Sequence, residues 1–197
     1  MNIKKELETK VGMTNGIYLN DIDIDPLTIK AIMINEVVPT DPLQDFYGLP
    51  DADYLKTTIP LLQGAGTEVT SIQDILQMGI YITNAVKTPK TEYTIDRSSI
   101  ENSLPWLEAE LALFPNIKVI MLMGDVAKKA FNMITKKAAK KNAVPAVSTY
   151  KLRNSEIYYE GIRIMPSYIM TGGNILIEKS KVTMATEDIA AMLEIIR

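Results

Sequence analysis

Short apolar runs bounded by polar residues or proline alternate along the chain with longer stretches in which apolar residues recur every three or four positions. "KAIMIN" (30–35), between Pro26 and Pro39, is too short for a stable helix and nearly continuous in apolar residues, which predicts a buried strand. "GIYIT" (79–83), "KVIMLMG" (118–124) and the run at 162–165 read the same way. Helical spacing separates them. "VTSIQDILQM" (69–78) carries Ser71 and Asp74 in capping-box register, and "RSSIENSLPWLEAELALF" (97–114) carries Ser98 and Glu101 likewise. In the second, Ile100, Leu104, Leu107, Leu111 and Phe114 make one stripe, while Pro105 interrupts the pattern and offers an alternative start. "DVAKKAFNMITKKAAKK" (125–141) follows Gly124 directly, giving strand, tight turn and helix. "TMATEDIAAMLEIIR" (183–197) closes the chain as a helix capped by Thr186.

Strands alternating with helices imply right-handed crossovers and a parallel sheet covered on both faces. The expected fold is therefore α/β: a three-layer αβα sandwich with a central, mainly parallel four-stranded sheet, in a single domain over 1–197. Residues 1–28 form an N-terminal extension in which "IKKELETKV" places Ile3, Leu7 and Val11 on one helical face and Gly12 ends the helix. No internal repeat or low-complexity linker interrupts this plan.

Composition narrows the chemistry. The chain has no cysteine and no histidine, so thiolate metal sites and imidazole bases are excluded, and acid–base work falls to carboxylates, lysine, tyrosine or water. No metal and no cofactor is expected. The apolar run 119–123 is far short of the roughly 20 residues of a membrane span, and the charged N-terminus lacks a secretory apolar centre. A soluble, cytoplasmic protein without a membrane partner is the expectation; the pattern says nothing of its oligomeric state. Net charge is −3, yet between Lys118 and Arg153 nine basic residues face the single acid Asp125. Such a segment is either a solvated helix face or a surface for phosphates.

In open α/β sheets ligands bind beyond the carboxyl ends of the strands. Four segments lie there: "NEVVPTDPLQDFYGLP", "NAVKTPK", "GDVAKK" and "MPSYIMTGGN". The first offers Glu36, which can polarise a water or cap a neighbouring helix, and the aromatics Phe46 and Tyr47. The second offers Asn84, whose amide suits the edge of a pyrimidine and equally suits an ordinary turn. Gly124-Asp125 lacks the spacing of a nucleotide loop. The fourth reads as a turn holding Met165, Ser167, Tyr168 and the Gly172–Gly173 pair.

In this order the segments resemble the uracil-DNA glycosylase superfamily, most of all its iron–sulfur branch, over about Ile29 to Ile169. "INEVVP" stands where that branch has Gly-Glu-Ala-Pro-Gly, with Glu36 on the acid, and "YITNAVKTPK" puts Asn84 on the base-reading asparagine. "SLPWLEAELALFPNIKVIMLMGDVA" follows the family's central stretch, with Ser103, like Thr88, where the branch has cluster cysteines. No cluster is therefore expected. "MPSYI" matches His-Pro-Ser-Tyr with Met165 in place of the histidine that steadies the leaving base.

The resemblance implies Glu36 as the catalytic residue, positioning water or supporting the sugar cation, and base contacts from Asn35, Asn84, Met165, Ser167 and Tyr168. It also implies stacking by either Phe46 or Tyr47, and DNA contacts from Lys87, Lys128, Lys129, Gly172 and Gly173. Three readings stay open: a glycosylase acting on uracil or a related deaminated base, an inactive DNA-binding form of the fold, and a protein that binds or hydrolyses a nucleotide or small heterocycle. Met165 offers no donor, so the Ser167 or Tyr168 hydroxyls, or nearby backbone N–H groups, stand as substitutes.

Overall fold

The computed structural model describes all 197 residues. Its five strands are β1 (Ala31–Val38), β2 (Ile80–Pro89), β3 (Val119–Met123), β4 (Ile157–Tyr159) and β5 (Ile162–Ser167), in the order β2-β1-β3-β5-β4. All neighbours are parallel except β4, which pairs antiparallel with β5. The sheet thus has one strand more than the apolar runs predict. β4 is three residues long and half exposed, so it leaves no apolar run to read. Its signal is the turn: Glu160 and Gly161 both have positive φ, 50° and 80°, as a tight two-residue hairpin requires.

Alternate strand residues divide between two apolar clusters of nearly equal size, 24 and 22 buried residues, so both sheet faces are covered. Ile32, Ile34, Ile120 and Leu122 face α1 (Ile3–Lys10), α4 (Arg97–Leu111) and α5 (Asp125–Ala139). Met33, Ile82, Met121 and Met165 face α2 (Asp53–Gly64), α3 (Ile72–Gln77) and α7 (Lys179–Ile196), and a single turn, α6 (Thr149–Leu152), precedes β4. The N-terminal extension packs into the first cluster: Ile3 and Leu7 are fully buried, and Asn20 donates to the Tyr81 hydroxyl at 2.8 Å.

Two helix starts differ from expectation. Ser71 caps α3 as predicted, but α4 is capped by Asp96, which accepts from the Ser99 N–H at 2.8 Å, and not by Ser98. The helix then runs on through Pro105. Pro105 and Glu101 are both exposed, so water receives the carbonyl that the missing N–H leaves free. α7 starts at Lys179, so Thr186 lies inside it and turns its hydroxyl back to the Thr183 carbonyl. α2 has no counterpart in the pattern, because "DYLKTTIPLLQG" contains two threonines and Pro60. No helix is long and apolar enough to cross a membrane.

Candidate functional site

β1 and β2 outrun β3 and β5, and the polar site begins where the shorter strands stop. Ile34 pairs with Thr83 on one side and Leu122 on the other, and one step further Asn35 pairs with Asn84. Both asparagines therefore lie within strands, whereas the sequence suggested that Asn84 follows one. Both are buried. Asn35 Nδ2 donates to Asn84 Oδ1 at 2.8 Å, and Thr171 Oγ1 donates to Asn35 Oδ1 at 3.0 Å. Asn84 Nδ2 donates to both carboxylate oxygens of Asp45, at 3.0 and 2.8 Å. Asp45 was not singled out from sequence, and its contact with Asn84 spans 39 residues of chain. Burial raises the Asp45 pKa against the opposing effects of the Asn84 amide, the Phe46 N–H and the Lys87 charge. Both ends of the Asn84 amide are thus engaged within the protein.

Because strand side chains alternate, Glu36 points to the other face, toward the start of α5. Its Oε2 accepts the Val126 N–H at 3.0 Å, at the positive end of the helix dipole. Gly124 makes this approach available: its φ of 109° favours glycine, and a Cβ there would lie 2.8 Å from the Glu36 carboxyl. Burial is the largest influence on Glu36 and raises its pKa, with Asp125 acting in the same direction and the Val126 N–H, Lys90 and Lys129 against it. Glu36 and Asn84 therefore share one sheet edge while facing opposite layers.

The two aromatics separate. Phe46 is buried beside Asp45, its ring 5.3 Å from that of Tyr54. Tyr47 instead covers the outer edge of β2, donating to the Ile82 carbonyl at 2.9 Å and accepting the Ile82 N–H at 3.1 Å. Phe46 is buried in the Asn84-side cluster, whereas Tyr47 packs against the clusters of both faces. Met165 lies inside β5 opposite Met121, buried in the α7-side cluster, and not in a turn. Ser167 ends β5 and donates to Asp188 Oδ2 at 2.6 Å, and the Tyr168 hydroxyl meets the Met184 sulfur at 3.7 Å. Both hydroxyls proposed to replace the missing imidazole are already directed at α7.

Lys87 departs furthest from expectation. It is 2% exposed, with Nζ bonded to Glu110 and Thr83 beneath the sheet, and so cannot reach DNA. Its β2 neighbour Tyr81 also donates to Glu110, which makes the cluster a closed internal network. Ser103 is buried and accepts the Lys87 backbone N–H at 2.8 Å. The chain has no cysteine, so its residues do not fit a thiolate-held iron–sulfur cluster.

A cleft of 660 Å³ opens beyond β3 and β5, beside α5, lined in part by Lys128, Lys129, Lys181, Tyr150 and Tyr168. Lys128 is half-buried and pairs with Asp125 at 3.2 Å, while exposed Lys129 has no ion-pair partner. Gly172 and Gly173 lie exposed past the end of β5, with no atom within 4 Å of where a side chain would start. No curated protein matches the chain. The family model described as Uracil DNA glycosylase superfamily matches residues 44–174, a span that includes Asp45, Phe46, Asn84, Met165 and Ser167 and begins after Asn35 and Glu36. That match covers well over half of the sequence, and with the parallel sheet and its polar carboxyl edge it shows that the chain belongs to the uracil DNA glycosylase superfamily.

Proposed function

We propose that this protein is a DNA glycosylase that excises uracil or a related deaminated base by hydrolysing its N-glycosidic bond. The observation that carries the reading is Glu36, a half-buried carboxylate held at the sheet edge by the α5 N-terminus and bordered by Lys90 and Lys129. Cleavage breaks the bond between C1′ and the base nitrogen, sends its electron pair to the base, and leaves positive charge on the sugar. An ionised Glu36 serves that charge and accepts the proton of the water that attacks C1′. Phe46 and Asn84 are buried, so the first loop must shift to admit the flipped base, which then stacks on Phe46 and is read by Asn84 as that amide exchanges its Asp45 contact for the edge of the base. Lys128, Lys129 and the exposed Gly172–Gly173 backbone border the flanking phosphates.

A second reading, in which the fold binds DNA without excision, is favoured by two observations. The Asn84 amide is satisfied internally, and Met165 is a core residue with no proton to offer. One assay separates the two. Purified protein is incubated with single- and double-stranded oligonucleotides carrying uracil, hypoxanthine or xanthine, and abasic sites are then cleaved with alkali. Strand scission that is lost in Glu36→Gln supports excision. Salt-dependent binding with no scission on any base establishes the second reading instead.

A further inference from the structure

We infer that Asp45 is the acid that protonates the departing base, an inference that rests on the glycosylase reading above. A base leaving C1′ takes the bonding electrons with it, and some group must neutralise that charge. The hydroxyls on the Asn84 side of the sheet are committed elsewhere as donors: Ser167 to Asp188 (2.6 Å), Tyr54 to the Val37 carbonyl (2.7 Å), Thr57 to the Met170 carbonyl (2.7 Å) and Thr171 to Asn35 (3.0 Å). Tyr168 is turned toward Met184, and the Met165 thioether has no proton. Asp45 remains. It is buried, it touches the base-reading amide with both oxygens, and the Phe46 N–H fixes it at 2.9 Å next to the stacking ring.

An ionised Asp45 in that position would repel a departing anion, so the productive form carries the proton. Burial favours that form. The charged and titratable groups that act on it are Tyr54 from α2 and Tyr47 from its own loop, with Lys87 of β2 and Glu110 of α4 acting from the other face of the sheet. Lys87 is neutralised by its pairing with Glu110, so no free cation holds Asp45 ionised. In the balanced step, water adds to C1′ and gives a proton to Glu36, and the C1′–N bond breaks with its electron pair passing to the base. The Asp45 O–H then transfers its proton to a base oxygen or nitrogen. The carboxylate left behind is held by the Phe46 N–H and, once the base has departed, again by Asn84 Nδ2, and solvent exchange returns the proton to Asp45 and removes it from Glu36.

The test uses the leaving group itself. 5-Fluorouracil departs more readily than uracil and needs less proton assistance, so a lost acid slows the two unequally. Single-turnover excision of each base is measured for the wild type, Asp45→Asn and Asp45→Glu across pH. Asp45→Asn is expected to slow uracil release on the order of 100-fold, with a much smaller loss for 5-fluorouracil, and Asp45→Glu to recover part of the uracil rate. Equal slowing of both bases, or no slowing, overturns the assignment and leaves a structural role. In the wild type alone, the ratio of 5-fluorouracil to uracil rates is expected to rise with pH as Asp45 loses its proton; a flat ratio overturns the inference without any variant. A wild type that releases neither base overturns the glycosylase reading, and this inference with it.

Discussion

Met165 shows how a motif position and a structural position can part company. By order along the chain it stands where the resembling family has histidine, yet its side chain packs with Met33 and Met121 against α7. An imidazole there would lose its water without gaining a partner, at a cost of about 1–3 kcal/mol. Met165→His is accordingly expected to lower the melting temperature and to add no excision activity; a gain in base release would return residue 165 to the site. Glu36 is the opposite case, named from sequence and found at a helix terminus. Glu36→Gln is expected to slow excision by a factor on the order of 100 to 1,000, as loss of one preorganised charged group does. Its pKa is raised from 4.5, so the wild-type rate falls with acidity at a higher pH than an ordinary glutamate would give. The same shift has a stability consequence. The native state binds this proton more tightly than the unfolded chain, so its contribution is full below 4.5 and is lost as pH rises through the folded value. Melting temperatures of wild type and Glu36→Gln measured over that range should differ in slope, with the wild type losing more stability as pH rises. Asp45 was beyond sequence reasoning because its significance depends on Asn84, a partner 39 residues away that only sheet pairing and the first loop bring to it.

Elements were legible where one physical signal dominated. β1, β2 and β3 are apolar on both faces and read as such, and α5 combines good helix formers with a stripe over Ala127, Phe131 and Ile134. α2 and the β4–β5 hairpin were not legible, since the first depends on packing against α7 to overcome Pro60 and the threonines, and the second on a turn of two residues. β2 also shows how alternation decides the use of a side chain. Asn84 and Lys87 are three apart in one strand and so lie on opposite faces, one at the polar edge and the other under α4. Lysine at 87 is thus a DNA contact by resemblance and half of a buried ion pair by topology. Removing it leaves the buried Glu110 carboxylate with the Tyr81 and Thr83 hydroxyls but no counter-charge. Lys87→Met is expected to cost about 3–5 kcal/mol in denaturant unfolding, and Lys87→Met combined with Glu110→Leu to recover much of that loss. Equal losses in the single and double variants would show that the wider network with Tyr81 and Thr83, and not the pair, carries the stability.

At the scale of the whole molecule, a net charge of −3 has to be reconciled with the polyanionic partner that the proposed function requires. Screening makes the reconciliation local, because exposed charges more than about 8–10 Å apart scarcely feel one another at physiological salt. What matters is the field at the sheet edge and along α5. Lys129 borders both the 660 Å³ cleft beyond β3 and β5 and a 390 Å³ groove that continues along α5 to Lys136 and Arg97. Arg97 is held by Glu101 and Lys128 by Asp125, leaving Lys129 and Lys136 without carboxylate partners and therefore free for phosphates. Neutralising a phosphate releases counterions, so each such contact contributes about −0.9 to the slope of log affinity against log salt on duplex DNA. The combined variant Lys129→Ala, Lys136→Ala is expected to weaken duplex binding uniformly across sequences and to reduce that slope by roughly 2. Arg197→Ala, at the end of α7 opposite the cleft-lining Lys181 and paired with Glu194, should leave it unchanged. Fluorescence titrations from low to physiological salt measure all three slopes directly. If the double variant keeps the wild-type slope, the basic residues of α5 serve solvation alone, and any phosphate contacts must be sought at Lys90 and the backbone of Gly172 and Gly173.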